Sequence, residues 1–398
     1  MNNNFVSIFL PFFMIFAQYE TPFFGGFSSY GILILFLYSI YYLLTTNCTI
    51  FINKYLFILT FIILFISIFN MFRLDNYSLI VINQLIESIF ILIVISIIIS
   101  SLNLSIFYKW YSLVGSVMVL TIYYQSINLY IFGNPAVPIT ILPVSIEHYG
   151  FWNDFVGLRP SGFFSEPEAF STYIIPLLIL SLFIYKQYIF SLFIIGSIML
   201  CSSTLGILLV IAIIFYIVFI TRKVNYFYKI SFLLFFIFSL YVFISTDLFS
   251  FSREKILAIN FENNIRLNRG FIYLSHFNFW DVLFGINNNL KDYVTNNLDY
   301  KWINNYINSN KSHLLGYTTT MSGVFIRSGL ISGLFFLYML FKMYKNEDNQ
   351  YRIIFFIILI LTFTRTLLFN SWFIFYYAIY LGLCNKKVFN NNYLIFKK

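Results

Sequence analysis

The chain has 398 residues, of which 60% are hydrophobic and only 10% are charged, and its formal net charge is +9. Soluble domains carry about 25% charged residues, so this composition excludes an ordinary soluble protein. The apolar residues form one long run after another, and runs such as 79–99 lack the alternation of a membrane β-strand, so the chain is predicted to span a bilayer as helices.

Segments of bilayer-spanning length follow one another along the whole chain. They predict an all-α, polytopic transmembrane bundle of about twelve helices, with residues 1–398 forming a single integral membrane domain. Two connections are too long to be simple turns: 133–167, and 249–316, where helical patterns cover 253–261 and 267–283. The predicted helices are 5–19, 24–45, 54–72, 79–102, 107–132, 168–185, 187–201, 204–221, 229–248, 317–343, 351–367 and 369–384.

The distribution of charge predicts the orientation of this bundle. If the N-terminus lies in the cytoplasm, the loops assigned to the inside are rich in lysine and arginine, and their only acidic residues are Glu347 and Asp348. Short cytoplasmic loops follow this rule. Both termini are therefore predicted inside and both large loops outside. Because the positive charge is explained by topology, no nucleic-acid partner is expected.

The densest polar sequence is Arg-Pro-Ser-Gly-Phe-Phe-Ser-Glu-Pro-Glu, residues 159–168, at the end of the first large loop. Pro167 suits the first turn of the following helix, Ser165 is a candidate N-cap, and Glu168 is favoured near a helix N-terminus. Helix capping therefore explains part of this sequence. It does not require Arg159 or Glu166, which are left as candidates for binding or chemistry.

Residues 159–167 resemble the Arg-x-Ser-Gly-x-Phe-x-Glu-Pro signature of bacterial O-antigen and exopolysaccharide polymerases of the Wzy type. The two large outer loops and inside termini are similar to that family's layout. Asn263–Gly270, leading into Phe279–Gly285, resembles the family's second loop, in which an arginine precedes a hydrophobic helix and a Leu-Phe-Gly turn. Arg327–Gly333 is similar to the small-residue start of the next helix, and Cys201–Gly206 to a short serine-rich outer turn.

The chain departs from the ligase branch of the same superfamily at one place. That branch carries a His-Asn pair shortly before the helix that follows the second loop. Here Thr318–Thr320 occupies the region and His313 lies upstream. The departure weakens the ligase interpretation and leaves the role of His313 open.

The resemblance implies a glycosyltransferase of the bacterial inner membrane that polymerises oligosaccharide units carried on undecaprenyl pyrophosphate. Membrane lipid and a chain-length regulator protein are the other expected partners, and neither a metal nor a cofactor is expected. Arginine suits the leaving pyrophosphate because it presents a rigid fork of donors and stays charged. Glu166 is the first choice for the general base and His313 the second. The arginines expected at the pyrophosphate are Arg159, Arg266, Arg269, Arg327 and Arg365.

Other interpretations remain open from the sequence. Arg266 and Arg269 can simply solvate a loop helix, and Arg327 and Arg365 can anchor helix ends at the membrane surface. Glu87, inside the fourth predicted helix, fits a hydrogen-bonded polar position or a proton relay. An O-antigen ligase, which uses lipid A core as acceptor, is the closest alternative function. A flippase for the lipid-linked unit is more distant, because the polar residues gather in two outer loops.

Overall fold

The computed structural model describes residues 4–19, 29–45, 49–73, 79–142, 159–220, 224–246, 268–287, 290–298, 300, 303–304, 315–316, 318–345, 352–365, 370–383 and 393–397. Within these ranges the protein is almost entirely helical, which confirms the predicted all-α class. The exception in this part of the chain is one two-stranded antiparallel ribbon that the sequence did not indicate.

Each of the twelve predicted segments contains a helix, and three further short helices lie in the described part of the second large loop. π-Helical turns at Leu180–Ile184 and Tyr216–Ile220 continue the helices before them. The elements are α1 (Phe5–Phe16), α2 (Tyr30–Thr45), β1 (Thr49–Asn53), α3 (Lys54–Arg73), α4 (Leu79–Ser101), α5 (Leu104–Tyr130), α6 (Pro167–Ile179), α7 (Tyr188–Leu200), α8 (Thr204–Phe215), α9 (Tyr226–Ser245), α10 (Arg269–Ser275), α11 (Phe279–Phe284), α12 (Leu290–Asn297), α13 (Thr320–Lys345), α14 (Arg352–Thr364), α15 (Ser371–Leu383) and β2 (Tyr393–Lys397).

Five helices of the described chain are long and apolar enough to cross a membrane. They are α3, α5, α6 with its π-helical extension, α9 and α13, each of at least 18 residues. At a rise of about 1.5 Å per residue, 20 residues match the hydrocarbon thickness of a bilayer. Several of the remaining helices are equally apolar but shorter.

The outward faces of these helices show the same membrane character. On α9, Phe232 and Phe243 are buried, whereas most of the other aromatic and aliphatic side chains of the helix are exposed. Contiguous apolar surface of this size is rare on water-soluble monomers. Lipid is the solvent that suits it, and the protein is therefore a helical membrane protein.

The second large loop differs in detail from its prediction. Residues 267–283 do not form one helix, because the chain turns at residues 276–278 between α10 and α11. Asn278 begins α11 as its N-cap, and its side-chain oxygen accepts a hydrogen bond from the backbone N–H of Asp281 at 2.9 Å. The predicted helix over 253–261 lies outside the described residues.

The chain divides into two compact units. The first comprises Met1–Leu37 and Ser101–Ile259, and α6 is its core helix. Every residue of α6 from Phe170 to Ile179 is buried, and the helix packs against α5, α7 and α8. Tyr173 donates a hydrogen bond to the carbonyl of Pro11 in α1 at 2.6 Å. This bond holds the N-terminal half of α6 against α1.

The second unit comprises Tyr38–Ser100 and Asn260–Lys398 and is arranged around α13. This helix packs against α3, α10, α11 and α14. A small core that includes Tyr273, Val294 and Ile326 joins the second large loop to α13. At another part of the unit β1 pairs antiparallel with β2.

Candidate functional site

The sequence 159–168, called here the motif turn, is held against the first unit by Gln125 of α5. The Gln125 side chain is buried, and its oxygen accepts hydrogen bonds from the backbone N–H groups of Ser161 at 3.1 Å and Gly162 at 2.8 Å. Its nitrogen donates to the carbonyl of Val137 at 2.7 Å. One glutamine therefore binds three backbone groups, and two of them, the N–H groups of Ser161 and Gly162, are buried.

A second glutamine binds the other half of the motif turn. Gln18, which follows α1, accepts a hydrogen bond from the N–H of Ser165 at 3.2 Å and donates to the carbonyl of Phe163 at 2.5 Å. Gly162 has a φ of +66°, a left-handed conformation that favours glycine. The shape of the turn thus accounts for the glycine of the motif.

The predicted cap at the start of α6 is wrong in one residue. The N-cap position belongs to Glu166, not Ser165, and the Glu166 side chain makes no capping hydrogen bond. Pro167 and Glu168 both lie in the first turn of α6, as predicted. The Glu166 carboxylate is half-buried at the helix entrance and is not used to satisfy the helix end.

Arg159 lies half-buried at the start of the motif turn. Its Nη1 donates a hydrogen bond to the carbonyl of Ser202 at 3.4 Å, in the turn between α7 and α8. Burial lowers the pKa of the Arg159 guanidinium, and the nearby carboxylates of Glu166 and Glu168 act in the opposite direction. The structure therefore brings together Arg159, Glu166 and the serine-rich turn that resembles the family's outer turn.

The second unit contains the other candidate arginines that lie in the described chain. Arg269, the first residue of α10, is fully buried. The next residue, Gly270, approaches Ser322 of α13 so closely that an added Cβ would lie within 2.5 Å of the Ser322 Cβ. Ser322 and Thr319 are joined through their hydroxyl groups at 3.1 Å. Arg269 thus lies beside a hydroxyl-rich start of α13, not on a solvated loop surface.

Arg365 is at the same end of α13. Its backbone carbonyl accepts hydrogen bonds from both the N–H and the hydroxyl of Thr320, at 2.8 and 2.7 Å. The Arg365 guanidinium lies 5.1 Å from the centre of the Trp372 ring, which is a cation–π contact. This arrangement orders the side chain and leaves part of it exposed.

Arg327 precedes a break inside α13. Gly329 has a φ of +72° and a ψ of −174°, so the helix does not run continuously through this point. The carbonyls of Ile326 and Arg327 instead accept hydrogen bonds from the N–H groups of Ile286 and Asn287 at 2.9 and 3.1 Å. The resemblance compared Arg327–Gly333 with the start of a helix, although the predicted helix itself began at residue 317. The structure places it within a helix that starts at Thr320 and breaks two residues after Arg327.

Three residues that sequence reasoning missed hold the second loop to α3. Arg73 forms an ion pair with Asp281 at 2.9 Å and donates to the side chain of Asn70 at 3.0 Å and to the carbonyl of Gly285. Asn70 donates to the carbonyl of Phe284 at 2.6 Å. The sequence did contain a signal for this contact, because an asparagine lies one turn before an arginine at the end of an apolar helix.

Two predicted site residues cannot be placed in this arrangement. Arg266 and His313 lie outside the described residues, and so does His148. Glu87 belongs to α4. His276 forms a hydrogen bond through Nε2 with the hydroxyl of Tyr300 at 2.8 Å.

Comparison with known proteins adds no relative. No family model matches the chain, and no curated protein matches it.

Proposed function

We propose that the protein is a polymerising glycosyltransferase that joins oligosaccharide units carried on undecaprenyl pyrophosphate at the outer face of the bacterial inner membrane. The observation that carries the proposal is the motif turn of the first unit. Two glutamines fix its backbone, and it holds a half-buried arginine beside a glutamate whose carboxylate is free of capping. A turn serving only as a helix entrance would need neither side chain.

The proposed reaction is a displacement at the anomeric carbon of the donor glycan. A hydroxyl of the acceptor unit forms the new glycosidic bond while the bond to the lipid pyrophosphate breaks. Charge grows on the leaving group, and fixed donors aimed at such charge are usually the largest catalytic contribution. We assign this role to Arg159 in the first unit. In the second unit, we assign pyrophosphate binding to Arg266, Arg269, Arg327 and Arg365, as the resemblance implies. We assign the proton of the attacking hydroxyl to Glu166, with His313 as the second choice.

Contacts within each unit pair segments that the charge pattern assigns to the same side of the membrane. In the first unit, Gln18 forms hydrogen bonds with the motif turn. The charge pattern assigns both of these segments to the outside. Tyr108 donates to Gln187 at 2.7 Å, and both were assigned to the inside. In the second unit, β1 lies in the loop between the second and third predicted helices, which was assigned to the inside. It pairs with β2 in the C-terminal segment, which was assigned to the inside as well. Each of these contacts joins segments that the charge pattern assigns to the same side of the membrane, and this agreement supports the predicted layout.

The proposal is tested by deleting the gene in its host and separating the lipopolysaccharide on a gel. A polymerase deletion loses the long ladder and retains core carrying one unit. Loss of every unit would identify a ligase or a flippase instead. Complementation with Arg159→Ala or Glu166→Gln should leave the ladder absent at unchanged protein level, whereas Arg159→Lys should restore at most a small part of it because lysine lacks the bidentate fork.

A matched control separates the loss of charge from the loss of the site. Arg222, which the charge pattern assigns to a cytoplasmic loop, is changed to Ala in the same plasmid. Its ladder should equal that of the unmodified protein. A full ladder from both Arg159→Ala and Glu166→Gln would contradict the proposed roles. Purified protein with a lipid-linked unit as substrate then distinguishes lost activity from lost export.

A further inference from the structure

The short helix α11 has an inverted distribution of polarity. Its acidic residue, Asp281, is buried, whereas its aromatic residues Phe279 and Trp280 are 69% and 58% exposed. Val282 is exposed as well. A helix on a water-facing loop shows the opposite pattern, with charge outside and aromatic groups inside. The exposed face of α11 is therefore suited to a medium other than water.

An aromatic row joins this face to the apolar surface of α3. The ring of Trp280 stacks on Phe284 with centroids 6.1 Å apart, and Phe284 contacts Phe69 of α3 at 4.7 Å. Phe69 is exposed, and so is Phe65 one turn earlier on the same helix. Because α3 is a 20-residue apolar helix with seven of its large apolar side chains exposed, this surface suits lipid. The exposed side of α11 continues it.

The ion pair sets the position of α11 along α3. Arg73 is the last residue of α3, where an apolar helix reaches the membrane surface, and it pairs with Asp281 at 2.9 Å. Asn70 adds hydrogen bonds to the carbonyls of Phe284 and Gly285, at 2.6 and 3.3 Å. Tryptophan is enriched at this level of membrane proteins because its ring is apolar and its N–H is polar.

We infer that α11 lies in the interface between the lipid headgroups and the acyl chains, with Phe279 and Trp280 inserted into the bilayer and Asp281 turned toward Arg73. The partner of this surface is the membrane lipid of the leaflet at the α11 end of α3. Through the Gly285 turn, α11 then holds the break in α13, and with it Arg327, at the level of the lipid phosphates. The inference goes beyond the proposed function and does not depend on it.

The depth of Trp280 is measured by fluorescence quenching in liposomes. The other four tryptophans, at positions 110, 152, 302 and 372, are changed to Phe so that Trp280 is the only one left. The lipids carry bromine near the headgroup, at mid-chain or near the methyl end, and acrylamide quenches from the water. We expect Trp280 to be quenched most by bromine near the headgroup, with only partial access to acrylamide.

Two references in the same tryptophan-free background, with Trp280→Phe, calibrate the scale. Phe65→Trp places the probe on the exposed face in the middle of α3, and Asn296→Trp places it on the exposed polar side of α12. Trp280 should lie between them. Quenching of Trp280 equal to that at position 296 would overturn the inference, and so would quenching as deep as that at position 65.

A nitroxide label gives an independent measurement if the tryptophan-free protein does not fold. The three native cysteines are changed to Ser, and the label is attached through Phe279→Cys or, as the water reference, Asn296→Cys. Oxygen dissolved in lipid should broaden the signal at position 279 several-fold more than at position 296. Equal broadening at the two positions would refute the interfacial placement of α11. The gel assay of the polymerase function reads a different property, so either result can fail alone.

Discussion

The ion pair between Arg73 and Asp281 gives a quantitative test of how the second large loop is held. Both side chains are largely withdrawn from solvent, at 17% and 7% exposure. Removing one partner of a buried pair typically costs about 3–5 kcal/mol, because the other charge remains buried. The two single substitutions should not cost the same, because the two charges have different remaining partners.

Arg73→Met removes the only cation paired with Asp281 in the described chain, and should lower the free energy of unfolding by about 3–5 kcal/mol. Asp281→Leu leaves the Arg73 guanidinium with two acceptors, the Asn70 side chain and the Gly285 carbonyl. Its cost should be about 1.5–3 kcal/mol, the contribution of one hydrogen bond to a charged group. The double variant should cost less than the sum of the two, by about 2 kcal/mol.

The assay is reversible unfolding by dodecyl sulfate from mixed micelles, followed by circular dichroism. Lys345→Met is the matched control, since Lys345 is an exposed basic residue at the end of α13 in the same unit. It should change stability by less than about 0.5 kcal/mol. If Arg73→Met behaves like this control, or if the two single effects simply add, the pair does not hold α11 and the reasoning is refuted.

Three further outcomes are expected. Gly329→Ala should lower the free energy of unfolding by well over 1 kcal/mol in the same assay, because the added Cβ meets backbone atoms. Gly133 has a similar positive φ but open space around it, so Gly133→Ala should cost only about 1 kcal/mol. Equal costs would contradict the close approach at the helix break. Gln125→Leu should lower stability by about 2–5 kcal/mol, because it leaves two N–H groups of the motif turn without partners. Gln125→Glu keeps the acceptor and should cost less. The reverse order would contradict the role of Gln125 in binding these N–H groups. Finally, cysteines are introduced as Phe51→Cys and Ile395→Cys in a background with the native cysteines changed to Ser. They should cross-link under mild oxidation because the two residues are directly opposed. Failure to cross-link would rule out the ribbon register.

The helices were predictable because their signal is local. A run of about 20 apolar residues is long enough to cross a bilayer, and nothing else in the sequence competes with that pattern. Pro167 at the start of α6 was equally local, since proline is favoured in a first helical turn. The cap residue itself was wrong by one position. Ser165 is the better capping residue, but α6 begins at Pro167, so Glu166 takes the N-cap position, and the distant Gln18 binds the backbone N–H of Ser165.

The contacts that build the candidate sites were not local. Gln125 and Gln18 are far from the motif turn in sequence, and a glutamine within an apolar helix does not reveal which backbone groups it will bind. The β-ribbon joins segments near opposite ends of the chain. No periodicity in one segment encodes its partner, so such pairings depend on packing.

In α13, the helix was predictable from the local sequence, but its break was not. Its apolar residues predicted a helix across the region, and glycine by itself is tolerated in such a helix at a cost of about 1 kcal/mol. The helix breaks at Gly329 because the backbone of residues 283–287 approaches it and supplies hydrogen bonds to Ile326 and Arg327.

By itself, the sequence determined that this chain is a helical membrane protein, and it marked the motif turn as the densest polar segment. These properties follow from the composition of continuous stretches and from the cost of burying backbone without hydrogen bonds in lipid. Only the tertiary structure decided that Arg159 meets the turn after α7, that Arg269 is buried beside the start of α13, and that α11 turns its acid inward and its aromatic rings outward. Those arrangements depend on which distant groups satisfy one another once the helices have packed.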